Sequence, residues 1–235
     1  MKKQDYTPIT PRGLNQIEYF QSIGKTPITI VTGPSGTGKT LGAFYIGYKM
    51  LKSDKIEKIL YCRSNTDFDG EKELGFLPGD LDEKMSFLVQ PAKDNLSKFL
   101  KLTDVEALIR SGKIEFSPVA MLRGRDFART LMILDEAQNT SHKGVKAFLT
   151  RMGEKSSCVI IGDTSQKDTP NWMTNGLVDV IQRLDPLTYD YRVRNNLPID
   201  DSPDEVEMHF MERSDIQRHP VLKRVLERYD GVEHR

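Results

Sequence analysis

The sequence predicts a single α/β domain in which a doubly wound, mostly parallel β-sheet carries helices on both faces. Three observations support this fold class. Short apolar or β-branched runs alternate with stretches of helical periodicity along most of the chain. Several of these runs are apolar throughout, which is typical of parallel strands buried on both faces. The length of 235 residues suits one domain, residues 1–235, and no linker rich in Pro, Gly or Ser divides it.

The first half of the chain begins with a strand, a glycine-rich turn and a helix. We predict the strand at 27–32 and the helix at 40–52. A second apolar run, 58–62, follows at the distance that a right-handed crossover to a parallel neighbour requires. The glycine-rich and proline-containing stretch 63–82 cannot form a regular element. Helical patterning then resumes from about 84 to 111.

The second half repeats the alternation of strands and helices. Either Thr140 or Ser141 can cap a helix whose apolar positions from 145 to 152 follow the helical period. An amphipathic helix is predicted at the end, at 221–229. The strands of this half are predicted at 113–116, 130–134, 157–161 and 206–210.

Composition excludes several classes of protein. Hydrophobic residues make up 37% and charged residues 29%, which argues against collagenous, low-complexity and disordered chains. The 34 basic and 34 acidic residues cancel, so no global field draws the protein to nucleic acid or to an anionic membrane. Cys62 and Cys158 lie in apolar runs and are interpreted as buried thiols in a reducing compartment. Because no run approaches ~18 apolar residues, we expect a soluble, cytoplasmic protein with no membrane partner.

A phosphate-binding loop follows the first strand. Residues 33–40 fit the pattern G-x-x-x-x-G-K-[ST], between a predicted strand and a predicted helix, as the motif requires. Its glycines let the backbone N–H groups point inward, and the helix N-terminus attracts a polyanion. We expect Lys39 to reach the β- and γ-phosphates and the Thr40 hydroxyl to bind Mg²⁺. The loop consists of Gly33, Pro34, Ser35, Gly36, Thr37, Gly38, Lys39 and Thr40.

Acidic and polar residues end two other predicted strands. Asp135 suits the Mg²⁺ shell, and Glu136 suits polarising a water in line with the γ-phosphate. The alternative for this pair is an acidic helix cap. Gln166, after the strand 157–161, can contact the γ-phosphate without adding charge, although a plain turn remains open there.

The most specific strings in the sequence are LGFLPGDL at 74–81 and LDEAQNT at 134–140, and residues 135–138 (DEAQ) and 162–166 (GDTSQ) are similar to helicase motifs II and III. Together these strings resemble the PhoH family of P-loop ATPases, and the resemblance covers nearly the whole chain. It implies a RecA-like P-loop NTPase fold, ATP and Mg²⁺ as ligands, and single-stranded RNA or DNA as a partner. It also implies a homo-oligomeric ring, with a hexamer as the expected size.

The resemblance further assigns individual residues. Gln16, in a Q-motif-like segment at 10–20, would pair with adenine through its amide. Arg63, Ser64 and Asn65 stand where superfamily 1 helicases contact a nucleic-acid backbone, although Ser64–Asp69 replaces the Arg-Pro-containing stretch usual in the family. A polar insertion at about 188–208 has no assignment.

The sequence contains one phosphate loop, whereas helicases that unwind within one chain enclose ATP between two similar α/β domains. We therefore expect another component to form the second side of the nucleotide cleft. A neighbouring subunit of a head-to-tail ring can supply it, with an arginine that reaches the γ-phosphate. The candidates are Arg123, Arg125 and Arg218, for which surface ion pairs are the alternative; Arg218 can also act within its own chain.

A few further residues carry weaker signals, and two other functions remain open. His219 is interpreted as a packed or capping residue beside Pro220, and Phe76 and Trp172 can stack on bases or pack in a core or against a partner. The four histidines are not clustered at ligand spacing, so the sequence gives little support to zinc. The rival functions are a small-molecule kinase and an ATP-gated binding scaffold with negligible turnover.

Overall fold

A computed structural model describes residues 5–63, 81–166, 175–184, 205–217 and 221. Within this part of the chain, six strands form one sheet in the order β3-β2-β4-β5-β1-β6, and every neighbouring pair is parallel. The strands are β1 (Ile28–Thr32), β2 (Lys58–Arg63), β3 (Ile114–Phe116), β4 (Thr130–Asp135), β5 (Ser157–Gly162) and β6 (Val206–Phe210). All strands therefore end at the same edge of the sheet.

Helices cover both faces of this sheet, as predicted. One face carries α1 (Leu14–Ser22), α2 (Lys39–Lys52), α3 (Leu81–Leu96) and α4 (Leu102–Arg110), packed around buried aromatic residues such as Tyr19, Phe44 and Tyr61. The other face carries α5 (His142–Leu149) and α6 (Gly176–Leu184), packed around Phe148 and Leu177. The doubly wound α/β fold is confirmed.

Two details of the helices differ from the sequence predictions or refine them. The helical stretch predicted at 84–111 is two helices, because the chain turns after Leu96 to bury Phe99 and Leu100. Of the two candidate caps for α5, Ser141 is the one used, since its Oγ accepts the Gly144 N–H at 3.1 Å. Of the irregular stretch predicted at 63–82, residues 64–80 lie outside the described residues, whereas Arg63 ends β2 and residues 81–82 begin α3, because regular hydrogen bonding extends further at both ends than the Gly and Pro pattern indicated. Of the polar insertion predicted at about 188–208, residues 188–204 lie outside the described residues, whereas residues 206–208 belong to β6 and pair with β1. Of the helix predicted at 221–229, only residue 221 is described.

Both cysteines are buried in the sheet, as predicted. Cys62 lies in β2 and Cys158 in β5, and neither forms a disulfide. Burial raises the pKa of Cys158 to about 12 and raises that of Cys62 as well, so both thiols stay protonated and inert at neutral pH. Among the described residues, no helix is long and apolar enough to cross a membrane.

Candidate nucleotide site

The glycine-rich loop curls at the carboxyl end of β1. Gly33, Gly36 and Gly38 have positive φ angles of 142°, 87° and 85°, which side chains rarely allow. At Gly33 a Cβ atom would also collide with the backbone oxygen of Met211. Glycine at this position is therefore required by both conformation and space.

Lys39 begins α2 and folds back over the loop. Its Nζ donates to the carbonyl oxygens of Gly33 at 2.5 Å and of Pro34 at 2.8 Å. The Tyr19 hydroxyl donates to the Lys39 carbonyl at 2.8 Å, which fixes the start of α2 against α1. The ammonium group thus lies inside the curl of the loop, at the N-terminal end of α2.

Asp135 ends β4 and points at the start of α2. The Thr40 hydroxyl lies 3.1 Å from Asp135 Oδ2, and the Tyr61 hydroxyl donates to the same oxygen at 2.8 Å. Burial and the neighbouring Glu136 raise the pKa of the Asp135 carboxyl above its usual value, although Tyr61, Arg63 and Thr40 oppose this. Two oxygen groups suited to a hard cation are therefore close together.

Glu136 lies one residue beyond the strand, in a left-handed conformation with a φ of 54°. One carboxylate oxygen faces Arg63, at the end of β2, with an N–O distance of 3.5 Å. The other accepts the Gln138 side-chain amide at 2.6 Å. The Glu136 carboxylate is thus held by two side chains, Arg63 at the end of β2 and Gln138 in the turn after β4.

The end of β5 completes the polar edge. Gln166 donates to Asp163 Oδ2 at 3.0 Å, and the backbone N–H of Asp163 donates to Gln138 Oε1 at 3.1 Å. The carbonyl of Gly162, the last residue of β5, accepts the Gly33 N–H at 3.2 Å. The third predicted segment is thus hydrogen-bonded both to the phosphate loop and to the turn after β4.

Gln16 lies on α1 beside the loop and is buried. Its Nε2 donates to the Thr37 carbonyl at 2.8 Å, and its Oε1 accepts the Arg12 N–H at 2.9 Å. The Gln16 side chain retains one further N–H donor on Nε2 and one further acceptor position on Oε1, since an amide has two N–H donors and an oxygen with two lone pairs. Gln16 joins the N-terminal segment to the phosphate loop, a role that its sequence context did not reveal.

A cavity of about 810 Å³ opens over these groups. It is lined by nine of the predicted site residues: Gln16, Ser35, Gly36, Gly38, Lys39, Thr40, Asp135, Glu136 and Gln166. Gln217 also lines it and donates its backbone N–H to the Gly36 carbonyl at 3.0 Å, a contact that sequence reasoning missed. The next residue, Arg218, is outside the described part of the chain, as are Ser64, Asn65, Phe76, Trp172 and His219.

The two remaining candidate arginines do not line the cavity. Arg125 is paired with Glu115 of β3 at 2.5 Å and lies over the Phe127 ring, 4.6 Å from its centroid. Arg123 is exposed, and its side chain has no hydrogen bond or ion pair within the described ranges. The two arginines, which were equal candidates from the sequence, therefore differ in the structure: Arg125 is held by Glu115 and Phe127, whereas Arg123 is exposed.

Comparison with known proteins gives one consistent result. A family model described as "PhoH-like protein" matches residues 8–230. A PhoH-like protein of Synechocystis is 32% identical over 226 residues, covering 96% of this chain and 63% of that protein. A PhoH-like protein of Bacillus subtilis is 34% identical over 222 residues, covering 94% and 64%. The chain therefore spans less than two thirds of the length of these relatives.

A solved structure supports the fold. The large terminase of a thermophilic bacteriophage aligns with 93% of this chain and 50% of its own, with a TM-score of 0.50 and 10% identity. At that identity the likeness concerns the fold alone, and it agrees with the RecA-like arrangement predicted from the motifs.

Proposed function

Because this chain belongs to the family of PhoH-like proteins, we propose that it is a Mg²⁺-dependent ATPase that couples hydrolysis to single-stranded nucleic acid, preferably RNA, within a homo-oligomeric ring. One observation carries the proposal. The hydroxyl of Thr40, the second residue of α2, lies 3.1 Å from the buried Asp135 carboxylate at the end of β4. A phosphate loop and an acidic strand end in contact form a site for a nucleoside triphosphate with its metal.

The loop binds the phosphates. Backbone N–H groups from 33–40 and the N-terminus of the fourteen-residue helix α2 favour a polyanion. Lys39 exchanges the carbonyl oxygens of Gly33 and Pro34 for phosphate oxygens, to which an ammonium group binds more strongly.

Thr40 and Asp135 would hold Mg²⁺. Their chemistry fits that ion, since both residues supply oxygen ligands. The Asp135 carboxylate is also buried beside a second acid, Glu136, so a bound cation would offset the free-energy cost of keeping Asp135 ionised. There the ion would supply positive charge that neutralises the negative charge developing on the phosphates during transfer. Tyr61 holds the Asp135 carboxylate in position from the β2 side.

Glu136 polarises the attacking water, and Gln166 contacts the γ-phosphate. Both line the cavity beside Lys39. Gln16 recognises adenine with the donor and acceptor positions that Thr37 and Arg12 leave unused. Gln16→Ala then weakens the preference for ATP over GTP; unchanged discrimination would remove Gln16 from base recognition.

Arg63 is the described residue best placed to connect this site with nucleic acid. It ends β2, is partly exposed, and is paired with Glu136 at a distance of 3.5 Å. A phosphodiester can take the place of that carboxylate on the guanidinium group. The pair therefore offers a physical route by which bound RNA changes the environment of Glu136.

In the proposed ring a neighbouring subunit faces the bound nucleotide, and Arg123 is the better of the two described candidates for the arginine in trans. It follows β3, which is four strand spacings of about 4.8 Å, roughly 19 Å, from β1. Arg125 is already held by Glu115 and Phe127, whereas Arg123 is exposed. Arg218 remains the candidate for a role within its own chain, because Gln217 lines the cavity.

Phosphate release from ATP, with and without single-stranded RNA, tests the proposal. Wild-type protein releases phosphate, Lys39→Ala does not bind ATP, and Glu136→Gln binds ATP but hydrolyses it at least about 100-fold more slowly. Lys49→Ala in the same helix and the exposed Glu154→Gln serve as matched controls. Mixing Lys39→Ala with Arg123→Ala subunits restores part of the activity if Arg123 acts in trans.

The same assay separates the rival functions. Transfer of labelled phosphate to a small acceptor supports a kinase. Turnover equal to that of Lys39→Ala, with assembly that still depends on ATP, supports a scaffold. Either result would overturn the ATPase proposal.

A further inference from the structure

Gln138 is completely buried beneath Glu136, in the short 3₁₀ turn Ala137–Asn139. Its Nε2 donates to Glu136 Oε2 at 2.6 Å, and its Oε1 accepts the backbone N–H of Asp163 at 3.1 Å. One side chain thus connects the turn after β4 with the end of β5.

We propose that Gln138 is a positioning residue that aims the Glu136 carboxylate, and that it acts on the reaction only through Glu136. The inference rests on the proposed function, since it presumes that Glu136 activates water. A buried amide that does not itself touch the reacting groups thus sets the direction of the Glu136 carboxylate.

Only an amide satisfies both partners. The Asp163 N–H needs an acceptor, which fixes the Gln138 oxygen on that side and the NH₂ group on the side of Glu136. A glutamate at 138 keeps the acceptor but loses the donor and places a second negative charge beside Glu136. A leucine of similar volume loses both bonds.

The amide has little freedom to move. A Cβ atom added to Gly162 would lie 2.6 Å from Gln138 Oε1, so the β5 backbone closes directly over it. The Gly162 carbonyl in turn accepts the Gly33 N–H of the phosphate loop at 3.2 Å. Gln138 therefore holds Glu136 relative to the strand end that also contacts the phosphate loop.

The orientation of Glu136 depends on this support. Its side chain is about one third exposed, and among the described residues its other oxygen contacts Arg63 at the longer distance of 3.5 Å. Without Gln138 the carboxylate can rotate within the cavity. Misplacing a catalytic group by about 1 Å costs up to about 100-fold in rate.

A double-mutant cycle tests the inference. Turnover number and ATP dissociation constant are measured for wild type, Gln138→Glu, Gln138→Leu, Glu136→Gln and Glu136→Gln/Gln138→Leu. We expect both Gln138 variants to lose about 10- to 100-fold in kcat, with ATP affinity within about twofold of wild type. In the Glu136→Gln background, Gln138→Leu has no further effect. The exposed Gln90→Glu, a surface replacement of the same type, keeps wild-type turnover.

Gln138→Glu preserves volume and the bond from Asp163, so it reports on the lost donor even if Gln138→Leu fails to fold. Wild-type turnover in Gln138→Glu overturns the inference, and so does a further loss in the double variant. A wild-type protein that binds ATP without releasing phosphate overturns the proposed function itself, and the inference with it. Loss of turnover in Glu136→Gln with none in Gln138→Glu overturns the inference alone.

Discussion

The hydroxyl of Tyr61 provides a sharp test of how the acidic strand end is held. Tyr61→Phe keeps the ring, whose centroid lies 5.0 Å from that of Phe44, and removes only the 2.8 Å bond to Asp135. A hydrogen bond to a charged group contributes about 1.5–3 kcal/mol. Asp135 retains Thr40 and the Glu136 N–H as donors, so we expect a loss of about 2 kcal/mol in unfolding free energy.

Urea denaturation followed by circular dichroism, without nucleotide, measures this loss. For a domain of this size, about 2 kcal/mol corresponds to a fall of roughly 4–8 °C in Tm. Tyr48→Phe is the matched control, because it removes a 3.5 Å bond to Asp5, whose side chain is 53% exposed; we expect less than about 0.5 kcal/mol there. Equal losses in the two variants would refute the reasoning, since the buried carboxylate would then gain nothing from Tyr61.

Two further predictions concern the loop and the β6 edge. Gly33→Ala combines an unfavourable φ with a Cβ atom that collides with the Met211 carbonyl, so we expect the unfolding free energy to fall by about 3 kcal/mol or more and ATP binding to be lost. Gly112→Ala is the matched control, because Gly112 has a φ of 70° but open space around it; we expect its unfolding free energy to fall by only about 1 kcal/mol. Desolvation by burial lowers the pKa of His209, although Glu207 and Glu18 oppose this. Below the ordinary pKa of histidine the unfolded chain therefore binds more protons than the folded protein, so the unfolding free energy falls as the pH drops. In urea titrations between about pH 7 and 5, His209→Gln should reduce this fall in unfolding free energy, and an unchanged pH dependence would contradict the assignment. The groups that face His209 are Ser22, Tyr19, Glu18 and Glu207.

Local sequence patterns were sufficient for most of the fold. Strands β1, β4 and β5 are short runs rich in apolar and β-branched residues, whose length favours a strand over a helix, and β6 is indicated by its alternation. The meeting of Thr40 and Asp135 followed from one rule, that parallel strands end at a common edge. The break between α3 and α4 could not be predicted, because it contains no Gly or Pro and arises from the burial of Phe99 and Leu100.

The contacts that hold the site together were not predictable from the sequence. Tyr61 has the pattern of one more apolar strand residue, and its hydroxyl contact with Asp135 depends on the register of β2 against β4. Gln138 lies within the motif LDEAQNT, but the motif does not reveal its two partners, Glu136 after β4 and the backbone N–H of Asp163 after β5. The bond from Gln217 to Gly36 joins segments far apart in the chain and carries no local signal.

Calorimetric titration of ATP into the protein, with and without Mg²⁺, tests the central claim most directly. We predict saturable binding that is strengthened by Mg²⁺ in the wild type, abolished in Lys39→Ala, and retained in Lys49→Ala. A folded wild-type protein that takes up no ATP, or a Lys39→Ala variant that binds it equally well, would contradict the assignment of residues 33–40 as the triphosphate site.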